Sequence, residues 1–232
     1  MDRTTTTTDG VEQSVRVSAG SVTLEGNLGI PEGARGVVLF AHGSGSGRHS
    51  PRNRFVAGRL RAAGLATLLI DLLTEDEETA DQYTGHLRFD IGLLAERLLG
   101  ATDWLAEDSR TAGLSVGYFG ASTGGGAALV AAARRPDRVG AVVSRGGRPD
   151  LAGEALPLVQ APTLLLVGGD DEPVITLNKT ALVKLGAPVK KLVIVPGATH
   201  LFAEPGKLEE VARLATDWFT RHLELPAETR AD

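Results

Sequence analysis

The sequence predicts an α/β fold: a single doubly wound, mostly parallel sheet with helices on both faces and no large cap domain. Three observations lead there. Short, continuous apolar runs such as GVVLFA (36–41), LATLLI (65–70) and TLLLV (163–167) have the length and saturation of strands buried on both faces. Segments of helical period separate them. Each run ends in a turn rich in glycine or acid, where open parallel sheets place their ligands.

The elements follow in order. Residues 14–18 and 22–28 alternate and meet at Ala19-Gly20, which predicts a hairpin. The strand at 36–41 comes next. A helix over 53–63 is stopped by Gly64, and the strand at 65–70 ends at Asp71. Residues 72–86 are acidic (Glu75, Asp76, Glu77, Glu78, Asp81) and show no period, so they read as an excursion over the sheet edge. Leu87, Ile91, Leu94, Leu98, Ala101 and Leu105 then repeat every three or four residues, the clearest amphipathic helix of the chain. A strand at 115–119, a glycine-rich turn and a helix at 127–135 follow. Further strands are expected at 140–144, 163–167 and 192–195, with helices near 175–185 and over 207–222. Alternation of this kind implies right-handed crossovers and parallel pairing.

The reading divides the 232 residues into one domain, 11–225, between a disordered tail at 1–10 and a C-terminal tail at 226–232. The first ten residues hold five consecutive threonines and no apolar stretch, so they offer nothing to bury and do not read as a signal peptide. A cytoplasmic protein is expected. The formal net charge of −5 argues against a nucleic-acid surface or a basic membrane patch. The absence of cysteine removes disulfides, thiolate metal sites and a thiol nucleophile.

The chemistry lies in the turns after the strands. Gly120-Ala121-Ser122-Thr123-Gly124 is G-x-S-x-G between a predicted strand and a predicted helix, the context that makes the pattern a nucleophile elbow. Serine needs a base. Among five histidines, His200 lies downstream of the serine, between the last strand and the last helix. His222 falls inside that helix, His86 in the excursion, and His49 near the loop after the strand at 36–41. An acid must hold the imidazole, and Asp170, Asp171 and Glu172 all follow the strand at 163–167. For the oxyanion, backbone N–H donors are expected from Thr123, at the helix start, and from Ser44 in His42-Gly43-Ser44-Gly45-Ser46-Gly47. His42 reads as a support of that loop. The loop is not a dinucleotide fingerprint, because position 48 is arginine, and there is no phosphate-binding P-loop sequence. Arg145 and Arg148 follow the strand at 140–144. Arg145 is a candidate substrate contact; pairing of Arg145 with Glu75–Glu78, or of Arg148 with Asp150, is the structural alternative.

Taken together, HGSG (42–45), GASTG (120–124), GGDDEPV (168–174) and PGATH (196–200) make the chain resemble the dienelactone hydrolase branch of the α/β hydrolases, over about residues 15–223. The resemblance implies an eight-stranded sheet with only its first strands antiparallel, and neither cofactor nor metal. It selects Asp171 over Asp170, completing Ser122, Asp171 and His200 as a triad. It implies hydrolysis of a small carboxylic ester or lactone, with no nucleic-acid or membrane partner. Dienelactone hydrolases in the strict sense use cysteine, so serine here points to the broader group of small esterases. A thioesterase or peptidase with the same triad, and a non-catalytic binding protein on the same fold, are the alternatives.

Overall fold

In the computed structural model, which describes residues 12–223, the apolar runs pair into one eight-stranded sheet. Its strands are β1 (Gln13–Ala19), β2 (Val22–Gly29), β3 (Val37–Ala41), β4 (Ala66–Ile70), β5 (Val116–Ala121), β6 (Val139–Arg145), β7 (Thr163–Gly168) and β8 (Lys190–Val195). Their order across the sheet is β1-β2-β4-β3-β5-β6-β7-β8. Pairing is antiparallel from β1 to β2 and from β2 to β4, and parallel from there on. The antiparallel hairpin turns at Gly20, whose φ of 65° suits a residue without a Cβ. The two expected tails, 1–10 and 226–232, lie outside the described residues.

Every residue of β3, β4, β5 and β7 is buried, as continuous apolar runs require when both faces are covered. Two large apolar cores result, besides a small third cluster of Val167, Val174 and Ile175. One gathers Leu39, Leu68 and Tyr118 with helices α3 (Ile91–Glu107) and α4 (Thr123–Arg134). The other gathers Phe40, Leu69 and Phe119 with α1 (Pro51–Ala62) and α6 (Lys207–His222). The side-chain period of two sends alternate residues of one strand to opposite cores. Burying each large apolar side chain contributes roughly 1.5–3 kcal/mol.

The helices begin and end where their chemistry dictates. In α1, Ser50 caps the N-terminus through Asn53 N–H, Pro51 occupies the first turn, and Gly64 follows at φ 81°. In α3 the buried face is Leu94, Leu98, Ala101 and Leu105, as the periodicity predicts; Leu87 falls one turn earlier, in the short turn Leu87–Phe89. Helix α5 (Glu172–Lys184) begins directly after Asp171.

Two segments depart from the sequence reading. Residues 149–158 form helical turns with a break at Gly153, where no element is expected. The acidic excursion, expected to lack regular structure, contains a ten-residue helix, α2 (Glu75–Thr84), which borders the loop after β3. The apolar pattern misses α2 because its buried side is ionic. Asp81 is 1% exposed and accepts from Leu87 N–H and Arg88, while Glu77 pairs with Arg97 of α3. The signal present in the sequence is Thr74-x-x-Glu77, a reciprocal capping box.

Candidate active site

The site is built on the carboxyl ends of five neighbouring strands. Ser122 follows β5 with φ 51° and ψ −122°, a strained conformation for a residue with a side chain. The two flanking glycines make that turn sterically possible. A Cβ on Gly120 would lie 2.6 Å from Gly124 O, and one on Gly124 would lie 2.2 Å from Ala41 O and 2.5 Å from His42 O. These are backbone atoms that cannot step aside. Gly124→Ala is therefore expected to lower stability by at least about 1–3 kcal/mol, the usual cost of overpacking. A urea midpoint equal to that of the wild type would refute the close approach of α4 to β3.

The strained turn is held from several sides. Ser122 N–H donates to Arg145 O at 3.2 Å, and Ser122 O accepts from Gly125 and Arg148 N–H, both at 3.0 Å. The Ser122 side chain is half-buried, and its hydroxyl makes no hydrogen bond among the described residues.

Asp171 and His200 meet directly. His200 Nδ1 lies 2.7 Å from Asp171 Oδ2, which leaves Nε2 as the outward nitrogen. The loops carrying them are joined by backbone bonds, Gly169 N–H to Val195 O and Asp170 N–H to Ala198 O. Asp170 is exposed and makes no side-chain bond; Glu172 is exposed too. Gly146 links the pair to the serine: a Cβ there would sit 3.5 Å from the His200 ring, and the preceding residue, Arg145, accepts from Ser122.

Three residues that sequence reasoning passed over hold these loops. Phe202, 1% exposed and at φ 55°, anchors the His200 loop in the α1–α6 core. Glu204 braces it by accepting from Thr199 Oγ1 at 2.6 Å and Thr199 N–H at 3.1 Å. Asn178, fully buried on α5, donates to Gly147 O at 3.0 Å. Of the three, only Phe202 carries a sequence signal, an aromatic residue two positions after His200.

The loop after β3 packs against Ser122, with a Cβ on Gly43 falling 3.1 Å from Ser122 Cβ. Arg48 and Asp71 tie this loop to the end of β4. Thr123 N–H, at the start of α4, has no partner among the described residues. Ser44 N–H, the other expected oxyanion donor, donates instead to the buried Thr123 hydroxyl at 2.9 Å.

His42 has the supporting position the sequence suggests. Its Nε2 accepts from Leu72 N–H at 3.0 Å, so its Nδ1 carries the proton and donates to Gly43 O at 2.9 Å. Burial holds its pKa below the ordinary histidine value, against the opposing effects of that carbonyl, Asp71 and Glu78. An unfolded chain would protonate this ring near the usual 6.5, while the folded one keeps it neutral to lower pH. Its contribution to stability is thus complete above pH ~6.5 and is lost on acidification below that value. The fall in Tm between pH 7.5 and 5 should be shallower in His42→Gln than in the wild type; equal slopes would exclude this role.

The remaining histidines stay apart from Asp171 and His200. His49 and His86 are exposed, and the His222 ring packs on Trp218 at 4.6 Å. Arg148 forks onto Asp150 with bonds of 2.9 and 2.8 Å. Arg145 does not reach the acidic segment, where Arg97 and Arg88 occupy the buried carboxylates. Above the loop after β3, Tyr83 and Phe89 line a groove that includes Ser44 and Gly45, and both rings are largely exposed. No helix among the described residues is long and apolar enough to cross a membrane, and no cluster of potential metal ligands occurs among them.

Comparison with known proteins agrees with this architecture. The model of the dienelactone hydrolase family matches residues 24–228. A dienelactone hydrolase from Anabaena variabilis is 66% identical, with a TM-score of 0.90 over 92% of this chain and 99% of that one. Est1E from Butyrivibrio proteoclasticus shares the fold at 18% identity and a TM-score of 0.74, over 90% of this chain and 98% of its own. Two Mycobacterium tuberculosis proteins named as candidate phosphoribosyl transferases are 58% identical over 91% of the chain. The chain spans about half the length of those relatives, 47%.

Proposed function

From the premise that this chain belongs to the dienelactone hydrolase family, we propose that it cleaves a small carboxylic ester or lactone through an acyl-serine intermediate. The observation that carries the reading is the Asp171–His200 bond beside a serine on a strained, glycine-flanked turn. Ser122 Oγ attacks the carbonyl carbon while His200 Nε2 takes its proton. The carbonyl oxygen becomes an oxyanion facing Thr123 N–H, where the start of α4 adds its partial positive charge. Collapse expels the alkoxide, which takes the proton from His200. Water, deprotonated by the same imidazole, then attacks the acyl-serine, and the acid leaves as Ser122 regains a proton. Asp171 keeps the Nδ1–H tautomer and stabilises the imidazolium in both steps.

Ser44 N–H completes the hole only when substrate draws the Thr123 hydroxyl away from it, since that hydroxyl holds the donor in the free protein. The groove beneath Tyr83 and Phe89 suits a short or aromatic acyl group. A fluorophosphonate probe tests the reading: it should label one site, Ser122, and abolish hydrolysis of short-chain p-nitrophenyl esters. Labelling elsewhere, or unlabelled protein that hydrolyses no ester, lactone or thioester, would overturn it.

A further inference from the structure

Arg145 is the last residue of β6, in register with Ala121, directly beside the nucleophile. Its side chain is 7% exposed, yet its Nε and Nη1 are buried without a hydrogen-bond partner, and no carboxylate of the described residues pairs with it. Arg52, in the first turn of α1, is the cation whose charge acts on it, and the Nε of Arg52 is likewise buried and unpartnered. Burial, and then the repulsion from Arg52, push the Arg145 pKa down to about 10, so its guanidinium is still charged at neutral pH. The other buried arginine of the described residues, Arg97, has Glu77 as its partner. A desolvated Arg145 with open donors, beside a second cation, costs free energy that a bound anion would offset. The first turn of α1 contains no acidic residue and adds its own partial positive charge.

We propose that Arg145 and Arg52 form an anion subsite beside Ser122, and that the substrate carries a doubly charged oxyanion, of which a phosphate monoester is the closest match. Two guanidinium groups and a helix N-terminus balance a dianion better than a single carboxylate does. This rests on the hydrolase reading for its link to turnover, but not for binding. The anion sits on the α1 side of the serine, because β6 alternation sends Arg145 to the same face as Val143, in the core shared with α1.

Inorganic phosphate at pH 8 is the probe, with acetate as the singly charged control. Phosphate should raise the Tm of the wild type and inhibit ester hydrolysis competitively, and acetate at equal concentration should do neither. In Arg145→Met and Arg52→Met the phosphate affinity should fall about 10- to 100-fold, the range for hydrogen bonds to charged groups. Without phosphate, each variant should be at least as heat-stable as the wild type, because an unpaired buried charge has been removed. Should Arg145→Met fail to fold, Arg145→Lys and Arg52→Met carry the same titration. In parallel, the ratio of kcat/KM for a phosphate-bearing ester to that for its neutral counterpart should fall by the same factor in each variant. A phosphate response that survives in the variants overturns the subsite, and so does an equal response to acetate. Absence of turnover on both esters overturns the hydrolase reading alone, since the Tm titration does not depend on it.

Discussion

Ser122→Ala is expected to lower kcat by about 10⁶ while leaving the protein folded. The side chain stands at the end of β5, on the α4 turn, where its hydroxyl makes no bond within the described residues. Removing it therefore orphans no buried partner, and the backbone bonds from Arg145, Gly125 and Arg148 persist. What disappears is the atom proposed to form the acyl intermediate. Thr123 N–H and the binding groove remain, so a residual rate above that of water is expected. The check is single-turnover hydrolysis of a chromogenic ester together with circular dichroism and a Tm. Retention of a tenth of wild-type kcat by a folded variant would remove Ser122 from the mechanism.

Asp171→Asn should cost about 10⁴ in kcat, and Asp170→Asn should cost little. The two neighbours differ in what they touch. Asp171 Oδ2 lies 2.7 Å from His200 Nδ1, with its side chain 13% exposed. Asp170 points to solvent and contributes to the site through its backbone N–H, bonded to Ala198 O. Asparagine at 171 can present its amide N–H to Nδ1, which favours the wrong tautomer and leaves Nε2 protonated, unable to accept from serine. Both variants keep the backbone that joins the two loops, so folding is not the variable. Measuring kcat for the pair decides the assignment, and a larger loss at position 170 would reverse it.

How much of this was legible beforehand varies with the kind of signal. The eight strands, the hairpin and helices α1, α3, α4, α5 and α6 were read within a few residues, because apolar burial imposes a period on sequence. Helix α2 was missed because ion pairs, not apolar contacts, hold its inner side, and its capping box was the one local sign. The turns at 149–158 were missed because Pro149, Gly153 and Pro157 read as loop residues, and packing on α4 and α5 is what makes them helical.

The sequence by itself determined the fold class, and it placed the proposed serine, acid and histidine in order along the chain. Both are properties of local pattern: alternation of apolar runs with helical faces, and short motifs in the turns between them. Tertiary structure decided whatever depends on which groups meet across long separations. His200 lies 29 residues after Asp171, and only the two bonds between their loops bring the carboxylate to the ring. Ser44 and Thr123 lie 79 positions apart, and their hydrogen bond, which occupies an expected oxyanion donor, follows from the packing of α4 against β3. The same holds for Arg145. Its position after a strand could be read from the sequence, but that no acid among the described residues pairs with it is a fact of three-dimensional packing.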